Sequence, residues 1–154
     1  IAIFLGASIF ADVFFVAFRL PNTFRRLFAE GTFNAAFIPS YVAAKSRSEQ
    51  TGKKFADEVL SILILILFFI VLLVEIFTPY VVYLIAPGFL DNVEKFDFAV
   101  ELTRITFPFL LLVSISSFFS GILNANNKFA AAAAAPIILN VVLIASLIIS
   151  FFSI

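Results

Sequence analysis

Cysteine and histidine are both absent from this 154-residue chain, and charge is scarce. Without Cys there are no disulfides, no thiolate metal ligands and no thiol nucleophile within the chain. Without His the commonest metal ligand and general base are gone as well. Charged residues make up 13% of the chain and hydrophobic residues 63%, with a mean hydropathy of +1.16. A soluble domain is usually about half apolar and about a quarter charged, so the composition predicts a membrane protein. Ten basic residues balance ten acidic ones. Nothing in this zero net charge points to nucleic acid, and the placement of charge matters more than its sum. There is no basic start and no small-residue cleavage site of the kind a signal peptide needs. No polar loop exceeds about a dozen residues, so no soluble domain is expected. With no His or Cys, and no clustered pair of acids at a membrane face, an integral-membrane enzyme fits poorly.

What is present is a series of long apolar runs. The chain opens at Ile1, already apolar through Phe10, and closes at Ile154 inside another apolar run. It reads as a segment that begins in the tail of one membrane helix (1–10) and ends within another. Gly6, Ala7 and Ser8 point to a tight turn. A long segment, 12–44, is interrupted by Pro21 and Pro39. At about 1.5 Å per residue it is longer than a bilayer core of about 30 Å, so it must tilt, kink or emerge. The polar run "KSRSEQTGKK" (45–54) reads as a loop, and after it comes a span over 55–85 whose only internal charge is Glu75. "APGF" (86–89) is a Pro-Gly turn. Asp91 and Glu94 are spaced like a capping box and lead into a span over 94–123 with Pro108 inside it. "NANNK" (124–128) is a short loop before the last span, 129–154, whose alanine run 130–135 reads as a packing face. The expected fold is an all-α polytopic transmembrane bundle of about four full spans plus the end of another.

Lys and Arg in short loops set orientation. Loop 45–54 holds Lys45, Arg47, Lys53 and Lys54, and loop 124–128 holds Lys128. Loop 86–97 holds only Lys95 beside Asp91, Glu94 and Asp97. The first two are expected to be cytoplasmic and the third to face outward.

The stretch "FRLPNTFRRLFAEG" (18–31) sets Arg19, Arg25, Arg26 and Glu30 into this apolar background. At about 100° per residue, Asp12, Arg19, Asn22, Arg25, Arg26, Glu30 and Asn34 fall within about half of a helix circumference. Arg25 and Arg26 lie about 20 Å further along the helix than Asp12, near the midplane, where a charge costs about 2.5–3.5 kcal/mol on insertion scales. Arg26 has a local partner available in Glu30 at i,i+4. One glutamate cannot neutralise three arginines, so Arg25 is expected to face a water-filled cavity and hold an anion. The planar guanidinium fork suits phosphate. Glu75 is either a proton or cation site or a residue near the outer interface. Glu101 and Arg104 read as a surface pair, and Asn124, Asn126 and Asn127 as loop residues. Pro21, Pro39 and Pro108 are either hinges or static kinks.

"ADVFFVAFRLPNTFRRLFAEGTFNAAFIP" (11–39) closely resembles the second transmembrane segment of the MurJ/MviN family of bacterial lipid II flippases. "APGF", "ITFPFLLLVSISSFFSGILNANNKF" and "APIILN" resemble the subsequent segments of that family, in the same order and at similar spacing, so the resemblance covers essentially the whole chain. It implies the end of the first helix through the fifth helix of an N-terminal lobe, one of two lobes around a central cavity. It implies movement of an undecaprenyl-pyrophosphate-linked peptidoglycan precursor across the bacterial inner membrane by alternating access, with no covalent chemistry and no cofactor. By the same resemblance Arg25 and Asn22 hold the pyrophosphate, while Asp12, Arg26 and Glu30 serve gating or charge pairing. The implied partners are lipid II, the bilayer and the remaining helices of the same full-length protein. Rival readings are an exporter of another lipid-linked oligosaccharide or of a drug, and a membrane scaffold whose charges pair with a partner helix.

Overall fold

Ser48 alone interrupts helix where the sequence predicts a ten-residue polar loop. In the computed structural model, which describes residues 9–29 and 32–152, one helix ends at Arg47 and the next begins at Glu49. Ser48 has extended backbone angles, φ −165° and ψ 154°, and its Oγ accepts from the Thr51 N–H at 3.0 Å. That is an N-cap, satisfying one of the donors a helix start leaves open. The polar residues on either side therefore form the last turn of one helix and the first turns of the next. Lys45–Glu49 at 3.4 Å and Lys54–Glu58 at 3.9 Å are i,i+4 pairs along them. The reversal is tight because residue 52 is Gly: a Cβ there would lie 2.8 Å from the Lys45 Cβ and 2.9 Å from its Cα.

The described elements are all helical. They are α1 (Ile9–Ala29), α2 (Thr32–Arg47), α3 (Glu49–Ile85), a 3₁₀ turn (Pro87–Phe89), α4 (Val93–Thr106), α5 (Phe109–Ala125) and α6 (Phe129–Phe152). The stretch read as one segment, 12–44, is thus carried by two helices with different neighbours. α1 lies mainly on α4 and α5, and α2 on α3 and α5. The start of the chain, 1–8, including the turn expected at Gly6, lies outside the described residues, as does Glu30.

Two apolar clusters hold the bundle. One gathers Phe37 and Tyr41 of α2, Leu63 and Leu67 of α3, and Phe107 and Phe118 around α5. Phe37 is its centre, with the Phe118 ring 4.8 Å away and those of Tyr41 and Phe55 stacked at 5.7 and 6.1 Å. The other cluster joins Val13 of α1, Val82 of α3 and Ala99 of α4 near the opposite end. Offset and tilted aromatic pairs of this kind add about 0.5–1.5 kcal/mol beyond burial.

α3 has 37 residues and is about 55 Å long. Its first three turns are polar and the remainder is apolar. Leu63, Leu67, Val74, Thr78 and Val82 form its buried strip, while Leu65, Phe69, Leu73, Ile76 and Leu84 are exposed. So large an exposed apolar face has no place in water. Among the described residues two segments, Glu49–Ile85 and Val93–Ala125, are long and apolar enough to cross a membrane. The second is α4 and α5 in series, their hydrogen-bond ladder interrupted where Pro108 supplies no N–H to the Arg104 carbonyl.

α3 is bent. Phe77 leaves helical geometry, with φ −100° and ψ 17°, two residues before Pro79. Pro79 cannot donate to the Glu75 carbonyl, and the Thr78 hydroxyl does so instead, lying 3.0 Å from the Glu75 oxygen and 2.7 Å from that of Val74. Thr78 is fully buried. Thr78→Val keeps the shape but removes the donor, at an expected cost of about 1–3 kcal/mol. Thr78→Ser should stay close to the parent. Thermal unfolding of the purified protein checks this: equal midpoints for the Val and Ser variants would show that the hydroxyl does not support the bend.

Candidate functional site

α1 has two unlike sides, and Pro21 belongs to one of them. Ala11, Val13, Ala17 and Pro21 are buried against α4 and α5. Asp12, Phe15, Arg19, Asn22, Thr23 and Arg26, at spacings of three and four, are exposed. The small buried residues let the helices approach closely. The polar side is covered by none of the described helices.

Of the site residues expected from the sequence, Asp12, Asn22 and Arg26 stand on this uncovered side. Arg25 lies on the same helix, in its last third, with its side chain outside the described set. The expected Arg26–Glu30 pair also falls outside it, because Glu30 does. Arg19, to which the resemblance assigns no role, stands on the uncovered side between Asp12 and Asn22. Ion pairs among the described residues are Lys45–Glu49, Lys54–Glu58 and Lys95–Asp12, so neither Arg19 nor Arg26 is neutralised by a described carboxylate. The one acid on the described side is engaged: Lys95 Nζ donates to Asp12 Oδ2 at 2.7 Å. The exposed side of α1 is therefore net basic beyond Asp12, and its guanidinium groups can offer forked, charge-assisted hydrogen bonds to an anion.

Asn34 leaves the stripe that its helical angle predicts. It sits in α2, where its Nδ2 donates to Ser117 Oγ of α5 at 3.3 Å. Gly121 makes room for it, since a Cβ at 121 would lie 2.7 Å from Asn34 Oδ1. Asn126 is more than a loop residue: its Oδ1 accepts from Lys45 Nζ, and its Nδ2 donates to Tyr41 Oη at 3.3 Å and to the Ile122 carbonyl at 2.7 Å. It ties the end of α5 to the end of α2. Asn127 comes next with φ 58°, the left-handed region that Asn tolerates at helix ends. The cap of α4 is Asn92, whose Oδ1 accepts from the Lys95 N–H at 3.0 Å, rather than the Asp91–Glu94 box. Glu101 and Arg104 form none of the described ion pairs. Glu75 lies beside the Pro79 bend, and its Oε1 is buried with no hydrogen-bond partner among the described residues. No group of three or more Asp, Glu, His or Cys among the described residues could hold a metal ion.

The residue that sequence reasoning missed is Lys95. It is separated from Asp12 by 83 positions. The available signal was its isolation: a single base among Asp91, Glu94 and Asp97.

Comparison with known proteins bears on the whole chain. The family model described as "Lipid II flippase MurJ" matches residues 1–154. The probable lipid II flippase MurJ of Rhizobium tropici is 47% identical over 145 residues, covering 93% of this chain and 27% of that protein. The corresponding protein of Rickettsia prowazekii (strain Madrid E) is 44% identical over 144 residues, 94% of this chain and 28% of its own length. The lipid II flippase MurJ of Burkholderia cenocepacia is 37% identical over 142 residues, 92% of this chain and 28% of its own length. The chain thus spans less than a third of the length of these relatives. With a family match from the first residue to the last, and with a helical bundle that exposes large apolar faces, the chain belongs to the MurJ lipid II flippase family.

Proposed function

We propose that the chain supplies the anion-facing helix of a lipid II flippase: a transporter, not an enzyme, that moves an undecaprenyl-pyrophosphate-linked precursor across the bacterial inner membrane by alternating access. One observation carries this reading. α1 buries Ala11, Val13, Ala17 and Pro21 and leaves Asp12, Arg19, Asn22 and Arg26 uncovered. A helix at membrane depth with basic residues on an uncovered side needs either water or an anionic ligand there. Arg25 and Asn22 hold the pyrophosphate, Arg26 and Glu30 pair or gate, and Asp12 acts at the outer end. The second lobe of the full-length protein closes the cavity over this side.

In this reading the segment comprises the end of a first helix (1–10) and the second to fifth helices of the N-terminal lobe, at 12–44, 55–85, 94–123 and 129–154. α1 with α2, α3, α4 with α5, and α6 are the four spans. Loops 45–54 and 124–128 are cytoplasmic and loop 86–97 is periplasmic. Cysteines placed at Ser48 and Asn92, both exposed, are expected to react from opposite sides of the membrane, Ser48 from the cytoplasm. Reaction of both from the periplasm would overturn the orientation. For the function, full-length MurJ carrying this segment is expected to sustain growth of cells depleted of their own flippase. Normal membrane abundance without growth would refute the reading.

A further inference from the structure

Lys95 is held on three sides. Its backbone N–H is fixed by Asn92 at the cap of α4. Its Nζ lies 4.3 Å from the centroid of the Phe89 ring on the 3₁₀ turn, a cation–π distance. The same ammonium reaches Asp12 of α1 at 2.7 Å. Asp91, Glu94 and Asp97 stand in its own segment, yet none of them forms a described ion pair with it. Its side chain is only 18% exposed, and directly below it Val13 and Ala99 are fully buried where α1 meets α4.

A second tie lies deeper on the same interface. Pro21 has no N–H to give the Ala17 carbonyl four residues back. The Thr106 hydroxyl, at the end of α4, stands 3.4 Å from that carbonyl oxygen and 3.3 Å from the carbonyl of Thr103. Asp12 and Ala17 are about 7.5 Å apart along the helix. Two ties at different depths, one to Asp12 on the exposed side and one to the Ala17 carbonyl on the buried side, fix the rotation of the helix as well as its distance. Rotation is what matters for the stripe, since slipping α1 by one residue turns every side chain by about 100°. Such a slip would carry Arg19 and Asn22 toward α4 and bring Val13 out.

We propose that Lys95 is a positioning residue for transport: through Asp12 it sets the rotation of the outer half of α1, and so aims the basic stripe at the ligand path. Asp12 is then the anchor of α1 rather than a contact to cargo. This half of α1 is tied to α4 at Asp12 and at the Ala17 carbonyl. The inference rests on the reading of α1 as the anion-facing helix.

Four variants of full-length MurJ carrying this segment test it, with flipping measured per molecule in the membrane. Lys95→Met and Asp12→Asn are each expected to slow flipping about tenfold, a typical coupling for a contacting pair. Lys95→Arg keeps the charge and the ring contact and should stay within about twofold. The exchange Asp12→Lys with Lys95→Asp should recover most of the loss. Unchanged flipping in Lys95→Met, or an exchange no faster than the slower single variant, overturns the proposal. Failure of the unmutated protein to flip would instead count against the transport reading on which it rests. A second measurement needs no transport. Cysteines at Val13 and Ala99 are expected to crosslink rapidly in the unmutated protein and several-fold more slowly when Lys95→Met is added. Equal crosslinking in both would show that Lys95 does not position α1.

Discussion

Arg25→Glu in full-length MurJ carrying this segment is expected to abolish lipid II flipping while the protein still accumulates in the membrane. Arg25 lies in the last third of α1, one turn beyond Asn22 and about 20 Å further along the helix than Asp12. In the proposed topology that position is near the midplane, from which snorkelling to either interface is hard. An unpaired charge there costs about 2.5–3.5 kcal/mol on insertion scales. On the proposed reading an anion meets Arg25 there, and Asp12, the acid on the described side of α1, is already engaged by Lys95. If Arg25 holds the pyrophosphate as proposed, glutamate would set a negative charge against it. Losing a charge-assisted contact and leaving the partner unpaired costs about 2–5 kcal/mol, so flipping should fall by about a hundredfold or more. Arg25→Ala should fail as well, whereas Arg25→Lys keeps the charge, loses the fork and should retain part of the activity. Growth of flippase-depleted cells reads the outcome, with membrane abundance checked by blot. Full growth with Arg25→Glu at normal abundance would return Arg25 to a purely structural role.

Gly52→Leu is expected to be strongly destabilising. A Cβ at 52 would meet the Lys45 Cβ at 2.8 Å and its Cα at 2.9 Å. The second of these is backbone and cannot rotate away. Ser48 allows only one residue between α2 and α3, so the pair cannot separate without losing the cap and the Lys45–Asn126 tie. Overpacking of this kind costs about 1–3 kcal/mol. Gly52→Ala meets the same clash but gains about 1 kcal/mol of helix propensity, so it should fall between Leu and the parent. Gly88 is the control, because nothing lies within 4 Å of a Cβ built there. The unfolding midpoint of purified protein is expected to drop by several degrees for Gly52→Leu and to be unmoved by Gly88→Ala. An unmoved midpoint for Gly52→Leu would contradict the tight crossing of α2 and α3.

The range of each interaction decides whether it is legible in the sequence. Helical class and the two-sided nature of α1 depend on local periodicity, and both are readable: Asp12, Asn22 and Arg26 fall on the exposed side. Features that depend on distant partners are not. Lys95 reaches Asp12 across 83 positions, and Thr106 reaches the Ala17 carbonyl across 89. Asn34 has the right angle for the stripe but belongs to a helix that faces α5. The run 45–54 misleads for another reason. Polarity marks what is wet, and a solvated helix end is as polar as a loop. Only the Ser48–Thr51 spacing separates the two. The identity of a lipid-linked cargo comes from family resemblance, since charge and depth alone specify only an anion.

The most direct test is transport by purified full-length MurJ carrying this segment, reconstituted in vesicles with lipid II in one leaflet and monitored by appearance of its headgroup on the other side. The account predicts that lipid II crosses with the unmutated protein and fails to cross with Arg25→Glu. Equal transport by both proteins, or transport of a different lipid-linked oligosaccharide in preference to lipid II, would contradict it.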